Sequence, residues 1–192
     1  MRRAPVFPGA RPFPRKRMMN MEKNRWMVFA KKIDAISNWF GKIFSYLVLP
    51  LTALIVFEVI TRRFFNAPTI WTFELSNFLF GAHFMLVAAY GLLYKSHVSI
   101  DLVTMRFSKR TQEKLQLFCY FTMFFPLVLT ILYHGVIFAK DAWAMMETSW
   151  SVWGPPLYPI KTVIPVTAAL LLLQGISEVI KRIIFLKTGE PI

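Results

Sequence analysis

Acidic residues are scarce in this 192-residue chain: ten Asp and Glu stand against 23 Lys and Arg, and charged residues of both signs make up only 17% of it. A soluble domain of this size keeps a larger polar share, so a chain that is 56% hydrophobic, with a mean hydropathy of +0.47, points to a membrane protein. Cysteine is almost absent too. The single Cys119 lies inside an apolar run, which excludes an intrachain disulfide framework and a cysteine metal site and leaves the redox compartment unreadable. A Gly-rich phosphate loop, a Gly-x-Ser-x-Gly elbow and a paired-His metal helix are also missing, so the chain does not read as an enzyme and no cofactor is expected. No internal repeat supports an inverted-repeat carrier contained in this one chain.

What the chain does have is four long apolar segments, at about 43–60, 71–94, 115–138 and 162–184. Each is close to the roughly 20 residues, at about 1.5 Å per residue, that cross a hydrocarbon core of about 30 Å. Runs such as "LVLPLTALIVF" and "AALLLLQGI" lack the alternation of barrel strands. The expected fold class is therefore an all-α integral membrane protein of four transmembrane helices, with Pro50, Pro126 and Pro165 as candidate kinks.

Basic residues are distributed as topology determinants. Eleven of the 23 lie between Arg2 and Lys42, five follow helix 2 (Lys95, Arg106, Lys109, Arg110, Lys114), and Lys181, Arg182 and Lys187 close helix 4; the opposite loops hold only Arg62, Arg63, Lys140 and Lys161. This bias predicts that both termini are cytoplasmic, and it accounts for the net charge of +13 without nucleic acid as a partner. Residues 1–20 form an Arg- and Pro-rich leader expected to be disordered and unlike a secretory signal; Met18, Met19 and Met21 leave the true start open. Residues 21–192 form the membrane domain. Within it, Trp26, Phe29, Ile33, Ile36 and Phe40 recur at steps of three and four, which predicts an amphipathic helix in the cytoplasmic interface or an early start to helix 1. Ile100, Val103 and Phe107 suggest a second short interfacial helix.

The polar chemistry gathers at "EVITRRFFNAPTIWTFEL", residues 58–75. Glu58 and Arg62 are four apart and can pair on one helix face, Asn66, Ala67 and Pro68 make a turn, Trp71 anchors at the interface, and Glu74 complements the dipole of helix 2. Two readings stand: a hinge that fixes two helices, or a surface on which Arg62, Arg63 and Glu74 face a partner. The loop "KDAWAMMETSWSVWGPPLYPIK", with Glu147, is likewise either an aromatic belt or a preorganised docking surface. His97 and Asp101 in "HVSID" read as a helix end and a following cap in preference to an acid and base pair. Three histidines are too few for two bis-His haems, and His83 and His134 lie at different depths, so His83 is expected to hydrogen-bond between helices. A membrane anchor subunit of an electron-transfer complex is the alternative class.

Taken in order, "EVITRRFFNAPTIWTFEL", "HVSID", "ETS" and "IPVTAALLL" resemble the small membrane (DctQ-like) subunit of tripartite ATP-independent periplasmic (TRAP) transporters, from about Ile33 to Lys187. "WSVWGPPLYPIKTVIPVTAALLLLQG" is most similar to the branch labelled mannitol or chloroaromatic compound transport. The resemblance implies a bacterial inner-membrane protein that packs on the static scaffold of a large, sodium-coupled membrane subunit. A periplasmic solute-binding protein would deliver an organic acid or similar solute, and membrane lipids would be further partners. By motif match, Arg62, Asn66, Trp71, Glu74, His97 and Asp101 fall on recurrent positions, while Arg63 and Ser99 depart from the pattern. The candidate partner-facing residues are thus Glu58, Arg62, Arg63, Asn66, Trp71, Glu74, His97, Asp101 and Glu147, with no catalytic, cofactor or metal site.

Overall fold

The structure is a computed structural model that describes residues 14–94 and 107–188, the side chains of 14–23 excepted. Its elements are α1 (Pro14–Ser45), α2 (Val48–Phe64), α3 (Thr72–Leu93), α4 (Lys109–Cys119), a π-helical turn (Tyr120–Phe124), α5 (Phe125–Ala144) and α6 (Tyr158–Thr188). Four helical runs are long and apolar enough to cross a membrane: Asn24–Phe64, Thr72–Leu93, Lys109–Ala144 and Tyr158–Thr188. This bears out the all-α, four-span fold class, and no strand occurs among the described residues.

Proline sets where these runs bend. Pro50 has no N–H, and its ring crowds the carbonyl four residues back, at Tyr46. The helix breaks there: Tyr46 and Leu47 donate to the carbonyls three residues behind them, Ile43 and Phe44, at 3.2 Å each, before α2 resumes at Val48. The interruption thus falls inside the expected helix 1, whereas the amphipathic stretch runs without a break into α1. Pro126 acts in the same manner on the third span, where the preceding turn widens into the π-helix. Pro165 stays inside α6, which remains one helix. At its other end α1 reaches back to Pro14, into the leader, because proline is tolerated in a first turn and the residues after it are mostly good helix formers.

The central element is α6, which packs against α5, α3 and α1, while α2 touches chiefly α3. Small residues make the close approaches. A β-carbon at Gly41 would lie 2.3 Å from the Tyr90 side chain, and one at Gly135 would lie 3.1 Å from Ile164, so glycine lets α1 reach α3 and α5 reach α6. The bundle-facing row of α1 is Ala30, Ile33, Ser37 and Gly41, all buried. Of the apolar stripe expected there, Trp26, Phe29 and Ile36 are left uncovered by protein.

The order of contacts gives direction. Asn38 meets Tyr94, Gly41 meets Tyr90, and His83 Nδ1 donates to the Phe44 carbonyl at 3.0 Å, so the end of α1 runs beside the C-terminal half of α3 and α2 continues along its N-terminal half. His83 bonds between helices as expected, and it serves a carbonyl in the last turn of α1, just before the break.

Candidate functional site

At the end of the bundle that holds residues 65–71 and 145–157, outer on the charge-based expectation, the polar groups form three small sets. In the first, Glu58 accepts from Arg62 Nη2 at 2.8 Å, the i, i+4 pair read from the sequence. Its second carboxylate oxygen takes the Thr69 hydroxyl and, at 3.4 Å, the Thr69 amide, and Thr69 in turn bonds Thr72, which is almost fully buried. Glu58 therefore ties α2 to the start of α3 across the intervening turn. Asn66 makes that turn possible by adopting φ +49°, a left-handed conformation that asparagine tolerates, and Ala67 N–H then reaches back to the Thr61 carbonyl at 3.2 Å. Trp71 lies against Phe57 with ring centroids 6.1 Å apart, on the same α2–α3 seam.

The second set joins α3 to the loop after α5. Glu74, in the first turn of α3, accepts from the Ser149 hydroxyl at 2.7 Å, while its other oxygen is shielded from solvent without a hydrogen-bond partner. In the third, Glu147 pairs with Lys161 at 2.5 Å, and the Lys161 ammonium also stands 4.1 Å above the Phe138 ring. Residues 145–157 fold as a tight clasp: Ser149 N–H donates to the Pro155 carbonyl and Leu157 N–H to the Glu147 carbonyl, both at 2.8 Å. Met146 and Gly154 supply the positive φ angles of the turns. Trp150 and Val152 project from the tip almost wholly exposed, 99% and 90%. Trp143 donates to Thr162 at 2.8 Å and packs on Tyr158, joining the ends of α5 and α6 below the clasp.

Of the candidates named from sequence, Glu58, Arg62, Asn66 and Trp71 share the α2–α3 seam, Glu74 and Glu147 brace the clasp, and Arg63 is exposed with no acid partner among the described residues. His97 and Asp101, with the proposed short helix around Ile100 and Val103, lie outside the described residues.

A larger polar network at the opposite end of the bundle, inner on the charge-based expectation, has no counterpart among those candidates. Asp34 of α1 accepts from Lys181 at 2.8 Å, Ser177 at 2.8 Å and Gln174 at 3.0 Å, three residues of one α6 face. Lys181 also pairs with Glu178 at 2.8 Å. Arg182 reaches Glu113 of α4 at 2.6 Å, bonds Gln116, and sits over the Tyr120 ring at 5.3 Å. Gln174 and Ser177 are completely buried and Glu178 nearly so. The signal is present in the sequence as polar residues at 174, 177, 178, 181 and 182, spaced by helical steps, but the lysine and arginine among them also fit the topology bias, which masks it.

Among the described residues no group of three or more His, Cys, Asp or Glu gathers as metal ligands. The ionisable side chains tie helices together near the two ends of the bundle, and the only strongly polar side chain bonded at the middle of α3 is His83. Such an arrangement defines a multi-pass helical membrane subunit whose polar residues fasten helices. The chain belongs to the DctQ family, since the family model described as "Tripartite ATP-independent periplasmic transporters, DctQ component" matches residues 51–184. It is therefore the small component of a TRAP transporter, a multi-pass protein of the bacterial inner membrane from a transporter family and not an enzyme family. No curated protein and no solved structure matches the chain.

Proposed function

We propose that this chain braces the large, sodium-coupled membrane subunit of its transporter against the bilayer and helps dock the periplasmic solute-binding protein, for uptake of an organic acid or similar solute. The observation that carries the reading is the family match over residues 51–184. Supporting it, the spans are fastened by ion pairs at their ends, as suits a rigid strut more than a solute pathway. Extensive apolar surface on α2 and α5 is left for lipid or a membrane partner, for example Leu49 at 62% and Leu127 at 61% exposed. Both termini are cytoplasmic in this proposal, which puts the Arg62, Arg63 and Trp150 surface on the periplasmic side. The similarity of "WSVWGPPLYPIK" to the mannitol or chloroaromatic branch is the basis for assigning the chain to that branch.

The test is charge reversal at the outer end. Arg62→Glu combined with Glu74→Lys should weaken complex assembly or solute uptake in cells that express the complete transporter. Uptake and assembly at the original level, with the doubly substituted chain present in the membrane in normal amount, would contradict the docking role of this surface.

A further inference from the structure

A groove of about 340 Å3 opens at the inner end of the bundle between α1 and α3, lined by Lys31, Asp34, Ala35, Asn38, Leu93 and Tyr94. The four α1 residues follow steps of three, one and three, so they share a helix face, and Lys31 and Asp34 stand one turn apart with β-carbons about 5–6 Å from each other. Yet they do not neutralise one another. Asp34 is engaged by Lys181, Ser177 and Gln174, while Lys31 is exposed and has no acid partner among the described residues. The Tyr94 hydroxyl donates to Asn38 Oδ1 at 3.1 Å, which orients the carboxamide and leaves its N–H groups as free donors. Tyr94 closes the last turn of α3, a membrane-crossing helix, so the groove lies where hydrocarbon gives way to headgroups.

From this geometry we infer that the groove holds the headgroup of an aminophospholipid: the phosphate on Lys31 Nζ and the Asn38 amide, the ammonium against the Asp34 carboxylate. A lysine with an amide donor suits a phosphodiester anion. A carboxylate one turn away favours a zwitterion, whose ammonium it can attract, over a purely anionic lipid such as phosphatidylglycerol, whose neutral glycerol headgroup brings no positive charge to Asp34. It also favours a primary ammonium, which donates hydrogen bonds, over a quaternary one, which cannot. The acyl chains would run up beside Leu93 and Ala35, with Tyr94, 57% exposed, at the polar boundary. A lipid there bridges α1 and α3 and so stabilises the docked α1 by mass action. The site does not depend on the transport role proposed above.

The test uses the full chain, delipidated in mild detergent and titrated with phosphatidylethanolamine, phosphatidylcholine or phosphatidylglycerol of identical acyl chains, with bound lipid counted by native mass spectrometry. Phosphatidylethanolamine should be retained in preference to both others. Lys31→Ala should weaken its retention about tenfold, a loss of one charge-assisted contact, while Lys31→Arg retains it. Lys31 is exposed, so helicity and melting temperature of the delipidated chain, before lipid is added, should not change with either variant. Equal retention of the three lipids, preference for phosphatidylglycerol, or undiminished phosphatidylethanolamine on Lys31→Ala would each overturn the assignment.

Discussion

Removing the Asp34 carboxylate should loosen α1 from α6 by an amount the structure allows to be estimated. Asp34→Ala deletes the ion pair with Lys181 and the acceptor used by Ser177 and Gln174. Asp34 and Lys181 are each 22% exposed, and Lys181 keeps Glu178, so loss of the pair costs only about 1 kcal/mol. Ser177 can fall back on the Ala30 carbonyl at 3.2 Å. Gln174 has no such fallback: it is 0% exposed, its Oε1 already lacks a partner, and its N–H2 group would be orphaned for about 1–3 kcal/mol. The expected total is about 2–4 kcal/mol, with Asp34→Asn milder because an amide oxygen still accepts. Thermal unfolding in detergent should show a drop of at least about 4 °C for a chain of this size. The decisive control is Gln174→Leu. In that background Asp34→Ala should cost clearly less, because no buried amide is left unpaired, so the double substitution is non-additive. Strict additivity, or no loss of stability from Asp34→Ala, would refute the network as the fastening of α1.

Glycine substitutions provide a paired check. Gly41→Ala should destabilise the protein by pushing α1 off Tyr90, whereas Gly81→Ala, with nothing within 4 Å of its added carbon, should be neutral or stabilising by up to about 1 kcal/mol; thermal melts of the two should move in different directions. Gly175→Ala would place a carbon 2.3 Å from the Phe124 ring in the π-helical turn, so Phe124→Leu added to it should recover much of the lost stability in the same assay. Pro50→Ala should supply the N–H that residue 50 cannot now donate to the Tyr46 carbonyl, which takes the Leu49 N–H at 3.0 Å instead, and straighten α1 into α2, lengthening the distance between spin labels at Lys42 and Ala53 in a double electron–electron resonance measurement; an unchanged distance would assign the break to packing instead.

Features that depend on local rules were legible in advance. The four spans follow from apolar length, the Glu58–Arg62 pair from i, i+4 spacing, and the Asn66 turn from a residue type that tolerates positive φ. The break at Tyr46 was available in principle, since it stands four residues before Pro50, although the kink was expected without a position. Long-range partners were not legible. Glu74 and Ser149 are 75 positions apart and Asp34 and Gln174 are 140 apart, and a single sequence holds no record of such contacts. Burial of Ser177 and Glu178 follows from α1 lying across α6, which amphipathic spacing at residues 26–40 did not reveal, because the row facing the bundle is mostly small and shares only Ile33 with the apparent stripe, of which Phe40 packs beside it while Trp26, Phe29 and Ile36 face away. Arg182 and Lys181 illustrate a further limit: a basic residue can mark topology and fasten helices together, and composition registers only the first.

The most direct test of the account is to purify the tagged chain from its host membrane in mild detergent and identify by mass spectrometry what stays bound. A subunit that braces a transporter should bring down a large, many-helix membrane protein in constant ratio, with a periplasmic solute-binding protein held more loosely. Recovery of redox subunits, or of no membrane partner across several detergents, would contradict that role.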